Sequence, residues 1–380
     1  MRVVFDKDIL RDALESSCSI FASKNTFTVL SNVLIKVKDN SCTIVSTDLS
    51  DTMHLKCALV SGDDCEFLLN GKTILSLLKT LPKGEVSFDI NEDVSQAILR
   101  SGKFKANVTL VSRTEFPNTT DVTKKKAGLK FKFVELKNAF SYVLPFASTD
   151  LNRDMFCGVN LNYEFKENKE ALITLCATDG HRLAKTEVIA QDSNAGDPIE
   201  NGIIISSKAV QIFSKFFSEE EEVMLLLEDK KTKLVFKSDT VCLTTTLIQG
   251  TFPNFYCVIP NTTKHIIVNR IDLINCLKRC PLFNPKIPSA RLDLKENNIN
   301  VNCTGTDIGS MSEDIECKYN SEEISLTVNA KYLEQSLAMV DDNMAVIGVI
   351  DKDSPIKVVS LADYEANDEG TLSIVMPMQA

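Results

Sequence analysis

A chain of 380 residues is too long for one ordinary hydrophobic core, so we expect two or three domains. Its composition, 44% hydrophobic and 25% charged residues, is typical of a soluble globular protein, and its net charge of −10 argues against a surface that binds nucleic acid indiscriminately. The sequence contains no run of about 18 apolar residues that could span a bilayer. The first residues also lack a signal-peptide core, which predicts a cytoplasmic protein.

The cysteines and histidines do not form a metal-binding pattern. The twelve cysteines are scattered without a Cys-x-x-Cys pair, and only Cys276 and Cys280 have the spacing of one helix face. We expect small buried side chains rather than disulfides or metal ligands. The three histidines, His54, His181 and His265, are far apart in the sequence, so we predict no metal site and no cofactor.

The order of predicted elements repeats three times along the chain, with a period of roughly 125 to 135 residues. Six segments carry apolar residues at helical spacing: Leu10, Ala13 and Leu14; Ile74, Leu77, Leu78 and Leu81; Leu136, Ala139, Phe140 and Val143; Ala209, Ile212, Phe213 and Phe216; Leu273, Cys276 and Leu277; Leu333, Leu337 and Val340. We therefore predict an α+β fold of three similar domains, each of two strand–helix–strands units, at residues 1–126, 127–255 and 256–380. The joints at 117–128 and 252–264 are polar and rich in turn residues.

The dipeptide Thr-Asp recurs where predicted strands end, at Thr47-Asp48, Thr178-Asp179 and Thr306-Asp307. This recurrence indicates that the dipeptide belongs to the architecture of the repeat. The middle copy alone continues with Gly180-His181-Arg182-Leu183. These four residues are therefore the candidates for a function that a single repeat carries.

Basic residues collect on several predicted helices, although the chain as a whole is acidic: Lys72, Lys79, Lys208, Lys215, Arg270, Lys278 and Arg279. Acidic residues collect in loops and strands, as at 219–222, 322–323 and 363–369. This segregation favours a shared basic helix surface over ordinary solvated helix faces, and such a surface would attract a polyanion. Duplex DNA is the more natural partner, because the sequence has no Trp and no basic stretch interleaved with aromatic residues.

Four features together resemble the bacterial DNA polymerase III beta subunit family, the sliding clamps: the threefold repeat, the run Ala177-Thr178-Asp179-Gly180-His181-Arg182-Leu183-Ala184, Thr251-Phe252-Pro253, and the terminal Val375-Met376-Pro377-Met378. The resemblance covers the whole chain. It implies a DNA-clamp fold in which two three-domain subunits join head to tail in a ring, with helices lining the hole and antiparallel sheets outside. It implies no catalytic activity and no cofactor.

The resemblance also implies partners and a site for them. The partners are a second copy of the chain, duplex DNA without sequence preference, the replicative DNA polymerase catalytic subunit, the clamp loader, and other DNA polymerases and repair proteins with clamp-binding peptides. Such peptides would insert bulky apolar residues into a hydrophobic pocket, which the resemblance places on Phe156, Thr178, Gly180, His181, Arg182, Leu183, Pro253, Val258, Ile374, Met376, Pro377 and Met378. We expect Arg182 to fix polar groups at the rim of this pocket.

Further positions follow from the same resemblance. DNA-lining residues fall on Lys24, Lys72, Lys79 and Lys208, and the subunit joint falls near Asn107, Thr109 and Leu282. The chain departs from the family pattern in several places, which are Asp154 and Met155 in place of an aromatic pair, Cys257 in place of a frequent Arg, and the ending Gln379-Ala380. Because Asn107 and Thr109 are more polar than expected, we predict a dimer weaker than those of relatives.

Two other classes of function stay open from the sequence. Asp179, His181 and Arg182 could serve a hydrolase, but no Gly-x-Ser-x-Gly, metal-ligand spacing or P-loop accompanies them. A repeat scaffold that binds peptides without DNA would use the same pocket. Topological linkage to circular DNA distinguishes a clamp from both alternatives.

Overall fold

The computed structural model of the protein describes residues 1–21, 31–91, 95–117, 128–166, 170–193, 199–228, 232–305 and 308–378. The first domain opens with a strand and a helix, and a second helix follows Asn70, as predicted. Its elements are β1 (Arg2–Asp6), α1 (Lys7–Cys18), β2 (Asn32–Lys38), β3 (Ser41–Thr47), β4 (Asp51–Cys57), β5 (Ser61–Gly62), β6 (Cys65–Asn70), α2 (Gly71–Thr80), β7 (Glu85–Asn91), β8 (Gln96–Ser101) and β9 (Phe104–Thr109).

The central domain repeats this order. Its elements are β10 (Leu129–Lys132), α3 (Phe133–Val143), β11 (Gly158–Phe165), β12 (Ala171–Thr178), β13 (Arg182–Ile189), β14 (Asp192–Ser193), β15 (Ile199–Ser206), α4 (Ser207–Phe216), β16 (Glu222–Leu227), β17 (Lys233–Lys237) and β18 (Val241–Thr246).

The C-terminal domain repeats the order again and adds two short helices, α6 and α8, that the sequence pattern did not predict. Its elements are β19 (Lys264–Asn269), α5 (Arg270–Leu277), α6 (Cys280–Phe283), β20 (Ser289–Lys295), β21 (Asn298–Gly305), β22 (Gly309–Lys318), β23 (Ile324–Asn329), α7 (Ala330–Ala338), β24 (Met344–Val349), β25 (Ile356–Ser360), α8 (Leu361–Ala366) and β26 (Leu372–Val375). The last strand ends at Val375.

Each domain has its own hydrophobic core between its helices and its sheets. The predicted helix faces supply these cores, as Leu10 and Leu14 do in the first domain and Leu333 and Leu337 in the third. Within the described ranges, no helix is long and apolar enough to cross a membrane.

The domains are joined by continuous antiparallel sheets. Strand β4 of the first domain pairs with β18 of the central domain, and β13 of the central domain pairs with β26 of the C-terminal domain. The resulting sheets have nine and twelve strands. Within the residues that the structure describes, two strands equivalent to these joint strands, β9 and most of β22, have a free edge. Strand β9 ends a five-stranded sheet, and β22 pairs on its second side at Cys317 and Lys318.

The cysteines follow the prediction in part. Seven are buried, namely Cys18, Cys42, Cys57, Cys65, Cys176, Cys242 and Cys276. Cys257 is exposed, and Cys280 and Cys303 form a disulfide, so the expectation of no disulfide was wrong. The reason is that the unpredicted helix α6 packs on β21 and brings the two sulfur atoms together.

An ionic contact reinforces the first joint. The Lys208 ammonium, in the first turn of α4, binds the carboxylates of Asp48 and Asp51, with 3.1 Å to Asp51, and donates to the Ile20 carbonyl at 3.1 Å. Both carboxylates are buried. Burial alone would lower the pKa of Lys208, but the hydrogen bond to Asp48 and the charge of Asp51 raise it.

We predict that Lys208→Met destabilises the protein by about 2 to 3 kcal/mol, because it leaves two buried carboxylates without their cation. The measurement is the urea midpoint followed by circular dichroism. Lys215→Met is the matched control, since Lys215 lies on the same helix without a carboxylate partner among the described residues. Equal midpoints for the two variants would contradict the assignment of Lys208 as a joint contact.

Candidate functional site

The turn between β12 and β13 is built by the Thr-Asp dipeptide. The Thr178 hydroxyl donates to the Arg182 carbonyl at 2.6 Å and accepts from the Gly180 N–H at 3.0 Å. The Asp179 carboxylate accepts from the N–H groups of His181, at 2.9 Å, and Arg182, at 3.1 Å. These bonds satisfy the backbone of the turn, so Asp179 has a structural role.

The first domain has the same turn. The Thr47 hydroxyl donates to the Asp51 carbonyl at 3.0 Å, and the Asp48 carboxylate accepts from Ser50 and Asp51. Leu49 has φ 80° where Gly180 has φ 91°. The architectural reading of the dipeptide is therefore confirmed for two repeats.

The third copy of the dipeptide, Thr306-Asp307, lies outside the described residues and stays a prediction. In the neighbouring strands, cross-strand pairing puts Thr304 opposite Ser310, as Thr47 is opposite Thr52 and Thr178 is opposite Leu183. Ser310 is therefore the cross-strand counterpart of Thr52 and Leu183.

The Arg182 side chain faces the protein and not the rim, contrary to the expectation. Its Nε donates to Asp179 at 2.9 Å, its Nη2 donates to the Pro145 carbonyl at 3.0 Å, and its Nη1 donates to the Gln335 side chain. The guanidinium also lies 4.5 Å from the ring centroid of Tyr332. Because Gln335 and Tyr332 belong to α7, Arg182 ties the central domain to the C-terminal domain.

The central–C-terminal joint has an apolar strand pair where the first joint has a polar one. Leu183 pairs with Ile374 across it, whereas the equivalent pair at the first joint is Thr52 with Thr244. Leu183 and Ile374 belong to a hydrophobic cluster that both domains supply, with Cys176, Ile204, Phe252, Phe255, Val346, Val359 and Leu372, and with Phe156, Ile248 and Ile259 at its partly exposed margin.

The end of the chain forms one wall of this cluster. The Met376 N–H donates to the His181 carbonyl at 2.9 Å, and the Met378 N–H donates to the Thr327 carbonyl at 2.7 Å. The Met376 and Val258 side chains remain 37% and 41% exposed. The structure thus brings Phe156, Leu183 and Ile374 of the predicted site into one hydrophobic cluster, and the backbone of Met376 is bonded to His181.

Pro253 and Pro377 lie at the same margin by their places in the chain. Pro253 is exposed beside the buried Phe252, and Pro377 is half-buried between Met376 and Met378. His181 is exposed and stacks on Tyr332 with 6.3 Å between ring centroids.

Arg153 is a residue of this site that the sequence did not reveal. Its guanidinium lies 4.5 Å from the ring centroid of Phe156, and a Cβ on Gly180 would lie 2.6 Å from its Nη2. Arg153 is exposed. It covers the turn at Gly180, so the glycine is required both by its φ and by this close approach. No sequence pattern links the two positions, since they meet only through the fold.

The candidate DNA contacts have unequal surroundings. Lys24 lies outside the described residues. Lys72 is exposed on α2, and its ammonium lies 6.0 Å from the ring centroid of Phe21. Lys79 pairs with Glu15 at 2.9 Å, although the sequence shows no acid near it. Lys208 is bound by Asp48 and Asp51 with its side chain still 40% exposed, and its contact with DNA stays a prediction.

The helix cations that the structure describes without a carboxylate within ion-pair distance are Lys72, Lys215, Arg270, Lys278 and Lys331. Arg279 pairs with Glu313. The basic helix surface is therefore smaller than the sequence pattern predicts, because acidic residues from other elements fold against part of it.

The residues proposed for a subunit joint lie at the free strand edges. Asn107 and Thr109 are on β9, and Leu282, on α6, is 66% exposed. In the part of the chain that the structure describes, no group of three or more His, Cys, Asp or Glu side chains could hold a metal ion.

Three strand-paired α+β domains with a hydrophobic site at one joint define a protein of the clamp class. Family models for the N-terminal, central and C-terminal domains of the DNA polymerase III beta subunit match residues 1–120, 131–254 and 257–379. The chain therefore belongs to the DNA polymerase III beta subunit family. It is an accessory subunit of the polymerase, a sliding clamp, without catalytic activity of its own.

Individual relatives agree over the full length. The chain is 25% identical to the "Beta sliding clamp" of Haemophilus influenzae and 23% identical to that of Caulobacter vibrioides, each over 100% of both chains. Its fold is similar to the crystal structure of the Streptococcus pneumoniae DNA polymerase III beta chain, with a TM-score of 0.90 at 20% identity. The Caulobacter crescentus structure gives 0.88 at 22% identity, and both structures are covered completely.

We predict that Leu49→Gly stabilises the protein by about 0.5 to 1 kcal/mol, because Leu49 is exposed and has a φ that a glycine adopts without steric cost. Gly180→Ala has the opposite effect, because its Cβ meets the Arg153 guanidinium and its φ is unfavourable. Urea midpoints measure both changes. Midpoints that move in the same direction would refute the equivalence of the two turns.

Proposed function

We propose that this chain forms a ring-shaped homodimer that encircles duplex DNA and holds the replicative polymerase to it through the hydrophobic site at the central–C-terminal joint. The observation that carries the proposal is the repetition of one strand-paired joint twice within the chain, with the strands for a third joint left at free edges.

The two internal joints supply the register that we expect for the third. Val111, Ile248 and Met378 each donate their N–H to an equivalent strand, at Leu68, Ile204 and Thr327. Four residues earlier stand Asn107, Thr244 and Ile374. Thr244 pairs with Thr52 and Ile374 with Leu183, and Ser310 is the counterpart of Thr52 and Leu183. Asn107 of one copy is therefore expected opposite Ser310 of the second copy.

Such a contact joins the C-terminal domain of one copy to the N-terminal domain of the next. Head-to-tail contacts of this kind close into a ring only for a particular number of domains. A ring of six similar domains closes with two chains. Exposed apolar side chains near the free edges, Phe104 beside β9 and Leu282 and Ile308 near β22, would be buried in that contact. Asn107 and Thr109 add polar area to it, which supports the expectation of a weaker dimer.

The DNA contact is sequence-independent on this account. Lys72, Lys215, Lys278 and Lys331 lie on α2, α4 and α7 or at the end of α5, and none has a carboxylate partner among the described residues. Exposed ammonium groups attract phosphates without reading bases, and the attraction weakens as salt rises. These few contacts alone would hold the protein on DNA only briefly, whereas encirclement would keep it on DNA after they break.

The hydrophobic site would receive the peptides of partner proteins. Met376 and Val258 present apolar surface around the buried Leu183 and Ile374, and methionine adapts to varied apolar side chains. The proposed partners are the polymerase catalytic subunit, the clamp loader, and other polymerases and repair proteins. Tethering raises the effective concentration of the polymerase at the primer end.

The topological claim predicts the behaviour on circular DNA. A clamp loaded on a nicked circle stays bound and leaves when the circle is cut once, because a ring slides off a free end. The measurement is retention in gel filtration before and after cutting. A peptide-binding scaffold or an ordinary DNA-binding protein would show equal retention on both forms, and that result would refute encirclement.

The site predicts a separate loss of partner binding. Met376→Ala with Met378→Ala weakens binding of the polymerase subunit by about tenfold or more, because apolar anchoring surface is lost. The dimer stays intact. Ile189→Ala is the matched control, being exposed at the far end of β13. Unchanged polymerase binding in the double variant would exclude this site.

Because the proposed subunit joint is polar, we predict that the dimer dissociates at concentrations that can be measured. We expect monomers to appear at nanomolar concentration in sedimentation experiments, and Leu282→Asp to raise the dissociation constant about tenfold or more. Ile189→Asp introduces the same charge away from the joint and should leave the dimer unchanged. A wild-type dimer still intact at nanomolar concentration would contradict the weak joint.

A further inference from the structure

A cavity lies at the first joint, where β4 pairs with β18. Its volume is about 510 Å³, within the range of small-ligand pockets, and Lys36, Thr43, His54, Lys56, Lys237 and Thr240 line it. Lys36 and Thr43 alternate along their strands with the core residues Ile35 and Ile44. The cavity is therefore on the sheet face opposite α1 and α2, away from the proposed DNA contacts.

Cations outnumber anions in this cavity. Among the described residues that line it, three are lysines and one, Asp239, is a carboxylate. Lys36 has Glu66 at 3.7 Å, but Glu66 is shared with Arg113 at 3.4 Å. Lys56 is exposed and has no carboxylate within ion-pair distance in the described part of the chain.

The equivalent corner of the second joint is neutralised. By strand pairing, His54 corresponds to Lys185 and Lys56 to Glu187. Lys185 pairs with Glu187 at 2.6 Å and donates to the Glu369 carbonyl at 2.9 Å. At the second joint, Glu187 neutralises Lys185. At the first joint, Lys56 occupies the position that corresponds to Glu187.

We propose that the cavity at the first joint binds a phosphate-bearing anion, with Lys36 and Lys56 as its cationic contacts. Lysine ammonium groups act as point charges that suit phosphate, and the Thr43 hydroxyl can donate to it. A confined cavity fits a compact oligophosphate better than an extended acidic peptide. The phosphates could come from a free inorganic oligophosphate or from a nucleotide, which share this chemistry.

The test is titration calorimetry of the full-length protein at about 50 mM salt, where screening is moderate. The probes are inorganic triphosphate and a nucleoside triphosphate. We expect saturable binding of triphosphate to the wild type. The Lys56→Glu variant has the acid that the second joint has at this position, and we expect it to bind triphosphate at least about tenfold more weakly. Tighter binding of the nucleotide than of triphosphate would identify a nucleotide as the source, and equal binding would identify phosphate alone.

Lys352→Glu is the control, since it makes the same charge change at an exposed residue far along the chain. It should bind triphosphate within about twofold of the wild type. Circular dichroism checks that both variants are folded. Absence of saturable binding to the wild type at millimolar triphosphate, or equal weakening by the two variants, would overturn the proposal.

Discussion

Antiparallel strand pairing across domain joints is the constraint on which the rest of the structure depends. At both internal joints, the third strand after the first helix of one domain pairs with the last strand of the next domain. Backbone hydrogen bonds therefore fix the position of each domain relative to its neighbour, and side chains only adjust the contact. The same geometry leaves β9 and β22 as edges, and exposed edges are templates for pairing with another chain. The proposed subunit contact between copies would follow the same rule as the internal joints.

Side chains then distinguish the joints that the backbone makes alike. The residue that ends the Thr-Asp turn is Asp51 at the first joint and Arg182 at the second. Asp51 binds Lys208 of the next domain, and Arg182 binds Gln335 and Tyr332 of the next domain. Opposite charges at one position thus serve the same purpose. The neighbouring pair, polar at Thr52 and Thr244 but apolar at Leu183 and Ile374, explains why a hydrophobic site forms at the second joint.

The sequence predicted the features that depend on local periodicity. The six long helices and the three-domain repeat follow from apolar spacing, and the turn function of Thr178 and Asp179 follows from its recurrence at Thr47 and Asp48. It failed where the partner of a residue is distant in the chain. Lys208 looked free because Asp48 and Asp51 are 160 and 157 positions earlier by numbering, and Arg182 looked available to a ligand because Gln335 is in another domain.

The central claim is that the subunit contact repeats the register of the internal joints, and disulfide crosslinking tests it most directly. Asn107→Cys with Ser310→Cys in one chain places the two thiols directly opposite across the contact, within about 5 Å between Cα atoms. Asp314→Cys in place of Ser310→Cys moves the second thiol about 13 Å along the strand. The account predicts a covalent dimer with the first pair under mild oxidation and only a background level, like the wild type, with the second. Equal crosslinking by both pairs, or a ladder of higher oligomers in place of the closed dimer, would contradict it.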